Sequence, residues 1–185
     1  MSTTIILGGA RSGKSSYAEK LAIETGKEVV YIATARAGDG EMAKRIERHR
    51  SSRPAHWETV EEPIKLAAAI ARWSAPDRVV LVDCLTLWLT NLIFSVDQDC
   101  PEVGVIDLPA VFYEESDALI DALREAKGDV LLVSNEVGLG IVPYGALSRC
   151  FSDEAGRLNQ AVAAVCDRAL FIVAGMPLTL KGAAC

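Results

Sequence analysis

The segment from Gly8 to Ser15, near the start of the chain, has the residue types and spacing needed to hold a phosphate chain. Glycines stand at two fixed positions of the Gly8-x-x-x-x-Gly13-Lys14-Ser15 pattern, where they allow backbone conformations and close approaches that a side chain would block. Backbone N–H groups of such a loop can surround phosphate oxygens. Lys14 can reach the outer phosphates, and Ser15 can offer its hydroxyl to Mg²⁺. The pattern therefore predicts a phosphate-binding P-loop with a nucleotide as its ligand.

Asp83 is a second candidate for chemistry, because it ends the apolar run at 79–82. An acid that holds magnesium in P-loop enzymes stands in such a place. An aspartate at the end of a strand can also cap the helix that follows. Both readings of Asp83 are compatible with the pattern.

His49 is a third candidate, on a predicted helix face with Met42 and Ile46 and followed by Arg50 and Arg53. Positive charge nearby favours the neutral imidazole, which can attack phosphorus, and arginines can bind a triphosphate. The pattern also allows a polar histidine near a helix C-terminus, favoured by the helix dipole, with the arginines on a solvated face.

The elements that must position these residues alternate along the chain. Apolar runs predict strands at 5–7, 29–33, 57–60, 79–82, 130–133 and 170–174, of which the last is expected to be the final strand. Helices are predicted from the P-loop to Gly26, at 42–49, from Pro63, at 85–94, at about 110–127 and from about 147. We interpret 96–109 as an exposed linker, and 175–185 carries no structural signal. This alternation predicts an α/β fold of one domain, 1–185, with a mainly parallel sheet flanked by helices.

Composition and charge limit the classes of protein and of partner. The 185 residues are 50% hydrophobic with a net charge of −6, which suits one domain with a substantial core and argues against nucleic acid as a partner. Five cysteines without a Cys-x-x-Cys pair predict reduced thiols instead of disulfides or a zinc site. No signal-peptide pattern begins the chain, and the most apolar run, 79–94, is interrupted by Asp83 and Asn91. We therefore expect a cytoplasmic protein without a membrane span.

Five motifs, in this order, resemble those of one enzyme family. They are Gly8-Gly9-Ala10-Arg11-Ser12-Gly13-Lys14-Ser15, Tyr31-Ile32-Ala33-Thr34, Arg45-Ile46-x-x-His49-x-x-x-Arg53-Pro54, Asp83-Cys84-Leu85-Thr86-Leu87-Trp88 and Asn135-Glu136-Val137-Gly138-x-Gly140-Ile141-Val142-Pro143. The chain is similar over nearly its whole length to the bifunctional adenosylcobinamide kinase/adenosylcobinamide-phosphate guanylyltransferases of cobalamin synthesis.

The resemblance implies two reactions. ATP or GTP phosphorylates the hydroxyl of the aminopropanol arm of adenosylcobinamide, and GTP then transfers GMP to that phosphate through a guanylyl-histidine, which gives adenosylcobinamide-GDP. A RecA-like P-loop NTPase fold, Mg²⁺ and a homotrimer are also implied. His49 and Lys14 take catalytic roles, and Ser15 and Asp83 bind the metal. The nucleotide-binding positions implied are Gly8, Gly9, Ala10, Arg11, Ser12, Gly13, Lys14, Ser15, Ala33, Thr34, Ala35, Arg50, Ser51, Ser52, Arg53, Glu61 and Asp83.

Three other functions compete with this interpretation. A P-loop kinase of another small molecule, without nucleotidyl transfer, would leave His49 dispensable. A regulatory GTPase would carry an Asn-Lys-x-Asp guanine motif, which the sequence lacks. A RecA-like motor or DNA-binding module is disfavoured by the acidic balance and by the missing basic stripe. Incubation with GTP would separate the bifunctional kinase/guanylyltransferase from all three, because that enzyme is expected to acquire one covalently bound GMP.

Overall fold

The protein is built around one seven-stranded sheet, seen in a computed structural model that describes residues 1–36, 40, 54–96 and 100–183. The strands are β1 (Thr3–Gly8), β2 (Glu28–Ala33), β3 (Glu58–Glu61), β4 (Arg78–Asp83), β5 (Asp129–Asn135), β6 (Arg168–Val173) and β7 (Met176–Lys181). Helices in the described residues are α1 (Lys14–Glu24), α2 (Leu66–Trp73), α3 (Leu85–Ile93), α4 (Ala110–Arg124) and α5 (Ala146–Val165). The helix predicted at 42–49 lies outside the described residues.

The strand order is β3-β2-β4-β5-β1-β6-β7. All neighbouring pairs from β3 to β6 are parallel, and only β7 runs antiparallel, beside β6. The predicted mainly parallel sheet is therefore confirmed. Because the strands from β1 to β6 share one direction, their carboxyl ends meet at one edge, where open α/β sheets bind ligands.

Helices cover both faces of the sheet, which explains the continuous apolar runs in the sequence. On one face, Ala18 and Ala22 of α1 pack into a core with the inward residues of the central strands. On the other face, α2, α3, α4 and α5 enclose a larger core around the fully buried Trp88. Along β1, β2, β4, β5 and β6, successive buried residues alternate between these two cores, as the period of two requires.

A strand follows the run that the sequence predicts to be the last. After β6, Ala174 (φ 52) and Gly175 (φ 78) are both left-handed and connect β6 to β7. Two successive residues of positive φ make a tight hairpin turn whose twist suits antiparallel strands. The prediction that 170–174 is the final strand is therefore wrong. β7 is an edge strand, which is where Pro177 is tolerated because it has no N–H to donate.

Smaller differences have local causes. Helix α2 begins at Leu66 and not at Pro63, because the Glu62 carboxylate accepts the N–H groups of Ile64 at 3.0 Å and Lys65 at 2.8 Å in the preceding turn. Residues 100–109, part of the predicted linker, form neither helix nor strand. The carbonyl of Glu102 nevertheless accepts the first N–H of α5 at 2.9 Å.

Candidate active site

The P-loop joins β1 to α1 in the strand–loop–helix order that the motif requires. Gly13 has φ 95 and immediately precedes Lys14, the first residue of α1. Within the loop, Ser12 N–H donates to the carbonyl of Gly9 at 3.2 Å. The buried Lys14 donates from Nζ to the same carbonyl, also at 3.2 Å. The ammonium group therefore lies against the P-loop, where it is predicted to contact the outer phosphates of the nucleotide.

The turn of the β6–β7 hairpin supports the P-loop. Gly175 N–H donates to the carbonyl of Ser12 at 2.8 Å, and a Cβ added to Gly13 would lie 3.0 Å from the Cα of Gly175. A Cβ at Gly8 would lie 2.8 Å from the carbonyl oxygen of Ile172 in β6. Both loop glycines are therefore required by close backbone packing, and Gly13 also by its left-handed conformation. Sequence reasoning missed this support because it missed β7.

Asp83 and Ala33 lie on the same sheet face as α1. Val79 and Leu81 of β4 belong to the core beneath α1, so Asp83, two residues further along, continues on that face. Ala33 follows Tyr31 of β2 in the same way and packs against the same core. Helix α1 itself begins at the carboxyl edge. The structure therefore brings the P-loop, Ala33 and Asp83 to one edge and one face of the sheet.

Thr34 fixes the backbone of the residue that follows Asp83. Its fully buried hydroxyl donates to the carbonyl of Cys84 at 2.7 Å and accepts the N–H of Cys84 at 2.9 Å. Burial, together with the negative charge of Asp83, raises the pKa of the Cys84 thiol to about 11. This thiol is protonated near neutral pH and is not a nucleophile. The Thr34 hydroxyl therefore holds the backbone of Cys84, the residue next to the predicted metal ligand Asp83.

Helix α3 ties the ends of two neighbouring strands together. Asn91 donates from Nδ2 to the carbonyl of Thr34 at 2.7 Å and to that of Pro63 at 3.1 Å. Trp88 donates from Nε1 to the carbonyl of Ile64 at 2.8 Å. Glu61, a predicted nucleotide contact, pairs in register with Ala33 at the end of β3 and is exposed. It lies at the outer end of the same edge.

Asn135 lies between the P-loop and Asp83, and the sequence assigned it no role. It ends β5, which separates β1 from β4, and it pairs in register with Gly8. A signal was available, because Asn135 closely follows an apolar strand just as Asp83 follows 79–82. Only the strand order shows that both residues flank one site.

Five predicted site residues lie outside the described part of the chain. These residues are His49, Arg50, Ser51, Ser52 and Arg53, and their roles stay predictions. In the part that the structure describes, no helix is both long and apolar enough to cross a membrane.

Comparisons with known proteins agree with the motifs. A family model described as cobinamide kinase / cobinamide phosphate guanyltransferase matches residues 4–180. The chain is 54% identical over 178 residues to the bifunctional adenosylcobalamin biosynthesis protein CobP of Pseudomonas aeruginosa, with 96% of each chain covered. It is 43% identical over 179 residues to the bifunctional adenosylcobalamin biosynthesis protein CobU of Escherichia coli, covering 96% of this chain and 98% of that protein.

Solved structures show the same fold in more distant proteins. An ATP synthase subunit, NeqB of Nanoarchaeum equitans, matches with a TM-score of 0.54 at 12% identity, covering 92% of this chain and 46% of that chain. Likeness at this identity concerns the fold alone. It confirms the predicted RecA-like P-loop NTPase fold.

Proposed function

The chain belongs to the cobinamide kinase / cobinamide phosphate guanyltransferase family, and we propose that both reactions use the carboxyl edge of the sheet described above. It is a bifunctional enzyme that phosphorylates adenosylcobinamide and then transfers GMP from GTP to the product, giving adenosylcobinamide-GDP. The observation that carries the proposed site is the convergence of the P-loop, Ala33 and Asp83 on one face of one edge.

In the kinase reaction the P-loop holds the triphosphate of ATP or GTP. The hydroxyl oxygen of the aminopropanol arm attacks the γ-phosphorus, a new O–P bond forms, the hydroxyl proton is lost to solvent, and the bond to the bridging oxygen breaks to release the nucleoside diphosphate. In the transition state, negative charge builds up on the bridging oxygen between the β- and γ-phosphates. Lys14 stabilises this charge and therefore favours the transition state over the ground state. Its position at the loop, bonded to the carbonyl of Gly9, supports this role.

Ser15 and Asp83 fit a magnesium ion by the chemistry of their donor atoms. A hydroxyl and a carboxylate are hard oxygen ligands of the kind that Mg²⁺ prefers, and Mg²⁺ usually completes its shell with phosphate and water oxygens. When bound, the ion neutralises phosphate charge. Asp83 stays in place because the backbone of Cys84 is held by Thr34.

We assign the nucleophile of guanylyl transfer to His49. A ring nitrogen of the neutral imidazole attacks the α-phosphorus of GTP, an N–P bond forms and the bond to the departing pyrophosphate breaks, while the other ring nitrogen keeps its proton. A phosphate oxygen of adenosylcobinamide phosphate then attacks the same phosphorus, and the N–P bond breaks. The assignment rests on the motif around His49 and on Arg50 and Arg53, which can hold the triphosphate.

The organisation of the protein is part of the proposal. Strands from Thr3 to Lys181 pair in one sheet, which supports a single domain over 1–185. Leu139, Ile141 and Tyr144, in the loop after Asn135, are each at least 76% exposed. Such an apolar surface supports self-association, and the resemblance to the family implies a homotrimer. We also propose a cytoplasmic location and no nucleic-acid partner, in agreement with the acidic balance.

The test follows the two products in order. Purified full-length protein is incubated with Mg²⁺, adenosylcobinamide and ATP, then with GTP, and the corrinoids are identified by mass spectrometry. We expect adenosylcobinamide phosphate first and adenosylcobinamide-GDP after GTP. Phosphorylation without GMP transfer would support a P-loop kinase limited to the first reaction, and the absence of both products would reject the proposal.

A further inference from the structure

The β6–β7 hairpin borders the P-loop on the side away from Asp83. In the strand order, β1 is followed by β5 and β4 on one side and by β6 and β7 on the other. Gly175, in the hairpin turn, donates its N–H to the carbonyl of Ser12 in the loop at 2.8 Å. A nucleotide whose phosphates lie in the P-loop can therefore extend its nucleoside in one of two directions, towards β4 and β2 or towards the hairpin turn.

The hairpin turn presents an open apolar surface. Residues 173–178 are all exposed, and none of them has a polar side chain. Pro177 pairs in register with Ile172, which belongs to the core beneath α1, so its ring lies on the α1 face of the sheet. A Cβ added to Gly175 would lie more than 4 Å from every described residue except its chain neighbours, so there is room beside the turn. An exposed apolar surface next to a phosphate site is typical of a ligand-binding groove and suits the flat face of a nucleobase.

The geometry of phosphoryl transfer relates the position of the nucleoside to that of the acceptor. The attacking oxygen and the leaving oxygen stand roughly in line with the γ-phosphorus. Because the leaving oxygen belongs to the donor nucleotide, the nucleoside of the donor lies on the side of the P-loop opposite to the acceptor hydroxyl.

The second reaction indicates on which side the acceptor lies. The predicted nucleotide contacts Ala33 and Glu61 are at the ends of β2 and β3. Strand β2 is three strands from β1, or roughly 14 Å, whereas β6 is the neighbour of β1 at about 4.8 Å. A GTP bound at Ala33 and Glu61 has its guanosine on the β2 side, and the aminopropanol arm, which is the acceptor in both reactions, must lie between that guanosine and the P-loop. The hairpin side is therefore left for the nucleoside of the phosphoryl donor.

We propose that the nucleoside of the phosphoryl donor rests on the β6–β7 turn, with its base against Pro177, while Ala33 and Glu61 bind the GTP that donates GMP. This inference rests on the proposed function, in which one arm is first phosphorylated and then receives GMP. The side chains of the turn have no hydrogen-bonding group, so they do not distinguish adenine from guanine, and either ATP or GTP can serve as phosphoryl donor. The carboxylate of Glu61 can instead accept hydrogen bonds from N1–H and the 2-amino group of guanine, which adenine lacks.

Photolabelling of the full-length protein with 8-azido-ATP and Mg²⁺ tests where the base lies. Trypsin cleaves after Arg168 and Lys181 and so releases residues 169–181, nearly the whole hairpin, as one peptide, whereas Glu61 is in the peptide that ends at Lys65. We expect light-dependent label in 169–181 that excess ATP suppresses. Label in the peptide that ends at Lys65 or elsewhere in the chain, or the absence of light-dependent label, would overturn the proposal.

Pro177→Asp and Leu178→Asp form a matched pair of variants. They add the same charge at neighbouring exposed positions of β7, but Leu178 pairs in register with Phe171, which packs against the core on the face opposite α1. Contact with one face of a base corresponds to about 10-fold or more in affinity. We expect Pro177→Asp to raise the KM for ATP in the phosphorylation of adenosylcobinamide by about 10-fold, with kcat changed by less than about threefold. Covalent labelling by GTP should stay normal in Pro177→Asp, and Leu178→Asp should change neither reaction.

The two reactions must respond differently for the proposal to stand. An unchanged KM for ATP in Pro177→Asp, or equal losses of phosphorylation and of GTP labelling, would show that the turn is not a separate nucleoside position. If Pro177→Asp does not fold, as judged by circular dichroism, the photolabelled peptide decides. Photolabelling uses no corrinoid, so its result stands even if the acceptor differs from adenosylcobinamide. Conversely, formation of both corrinoid products together with label in the peptide of Glu61 would reject this inference and leave the proposed function intact.

Discussion

Replacing Thr34 by valine tests how the carboxyl end of β4 is held in place. Valine keeps the shape of the side chain but removes the hydroxyl that bonds both backbone groups of Cys84, at 2.7 and 2.9 Å. The carbonyl of Cys84 also accepts the N–H of Trp88 at 3.2 Å, so it keeps a partner. The N–H of Cys84, in a buried residue, loses the acceptor that the structure gives it.

The expected cost follows from these two bonds. A buried N–H left without an acceptor costs about 1–3 kcal/mol, and a lost neutral hydrogen bond costs about 0.5–1.5 kcal/mol. Thr34→Val should therefore lower the free energy of unfolding by about 2–4 kcal/mol, or roughly 5–15 °C in Tm for a protein of this size. Thr34→Ser keeps the hydroxyl and loses one buried methyl group, which costs about 1 kcal/mol.

Two measurements test whether the Thr34 hydroxyl holds the carboxyl end of β4. Urea unfolding of the variants should give a larger loss of stability for Thr34→Val than for Thr34→Ser. A magnesium titration of kinase activity should show a higher requirement in Thr34→Val, because Asp83 immediately precedes the residue that is released. Equal stability of the two variants would contradict the reasoning, since it would mean that the bonds to Cys84 contribute nothing net to folding.

Three further variants test the assigned roles. Lys14→Ala should keep the fold and lose at least about a hundredfold in kinase rate, and near-normal phosphorylation of adenosylcobinamide would remove the P-loop from the mechanism. Asp83→Asn should raise the magnesium requirement without changing Tm, whereas an unchanged titration would reject Asp83 as a metal ligand. His49→Ala should abolish labelling by radioactive GTP while keeping part of the kinase activity, and His56→Ala should label normally. Full labelling of His49→Ala would exclude that histidine as the nucleophile.

The five central parallel strands, β1, β2, β4, β5 and β6, could be predicted because they are buried on both faces. Such strands appear as continuous apolar runs, which stand out from the amphipathic helices between them. The run that ends on Asp83 and the run that enters the P-loop are both of this kind. Their polar residues at the carboxyl ends were therefore identifiable without the structure.

The antiparallel strand β7 could not be predicted for the opposite reason. Its outward residues, such as Met176 and Leu178, are exposed at the sheet edge, so they form no buried run. The hairpin turn uses Ala174 and Gly175 in place of the Asn-Gly pair that usually marks such turns. Because β7 could not be predicted, the contact between Gly175 and the P-loop could not be predicted either.

The strand order could not be predicted from the sequence either, and the position of Asn135 in the site depends on that order. Strand β1 pairs with β5 and β6, which lie far later in the chain, and the sequence carries no local signal for such pairings. Asn135 and Asp83 each looked like a polar residue at a strand end. Only their placement on adjacent strands and on one face makes them parts of one site.

The insertion of β5 sets the dimensions of the site. Neighbouring strands lie about 4.8 Å apart, so β1 and β4 are separated by roughly 10 Å, and Asn135 stands in that interval. The residues around the site are held through their backbones. Thr34 bonds Cys84 beside Asp83, Thr86 bonds Asn135, and Gly175 bonds Ser12 in the loop. Loss of one of these supports should therefore reduce stability and activity together, whereas truncation of Asp83 at the side chain should reduce function with little change in stability.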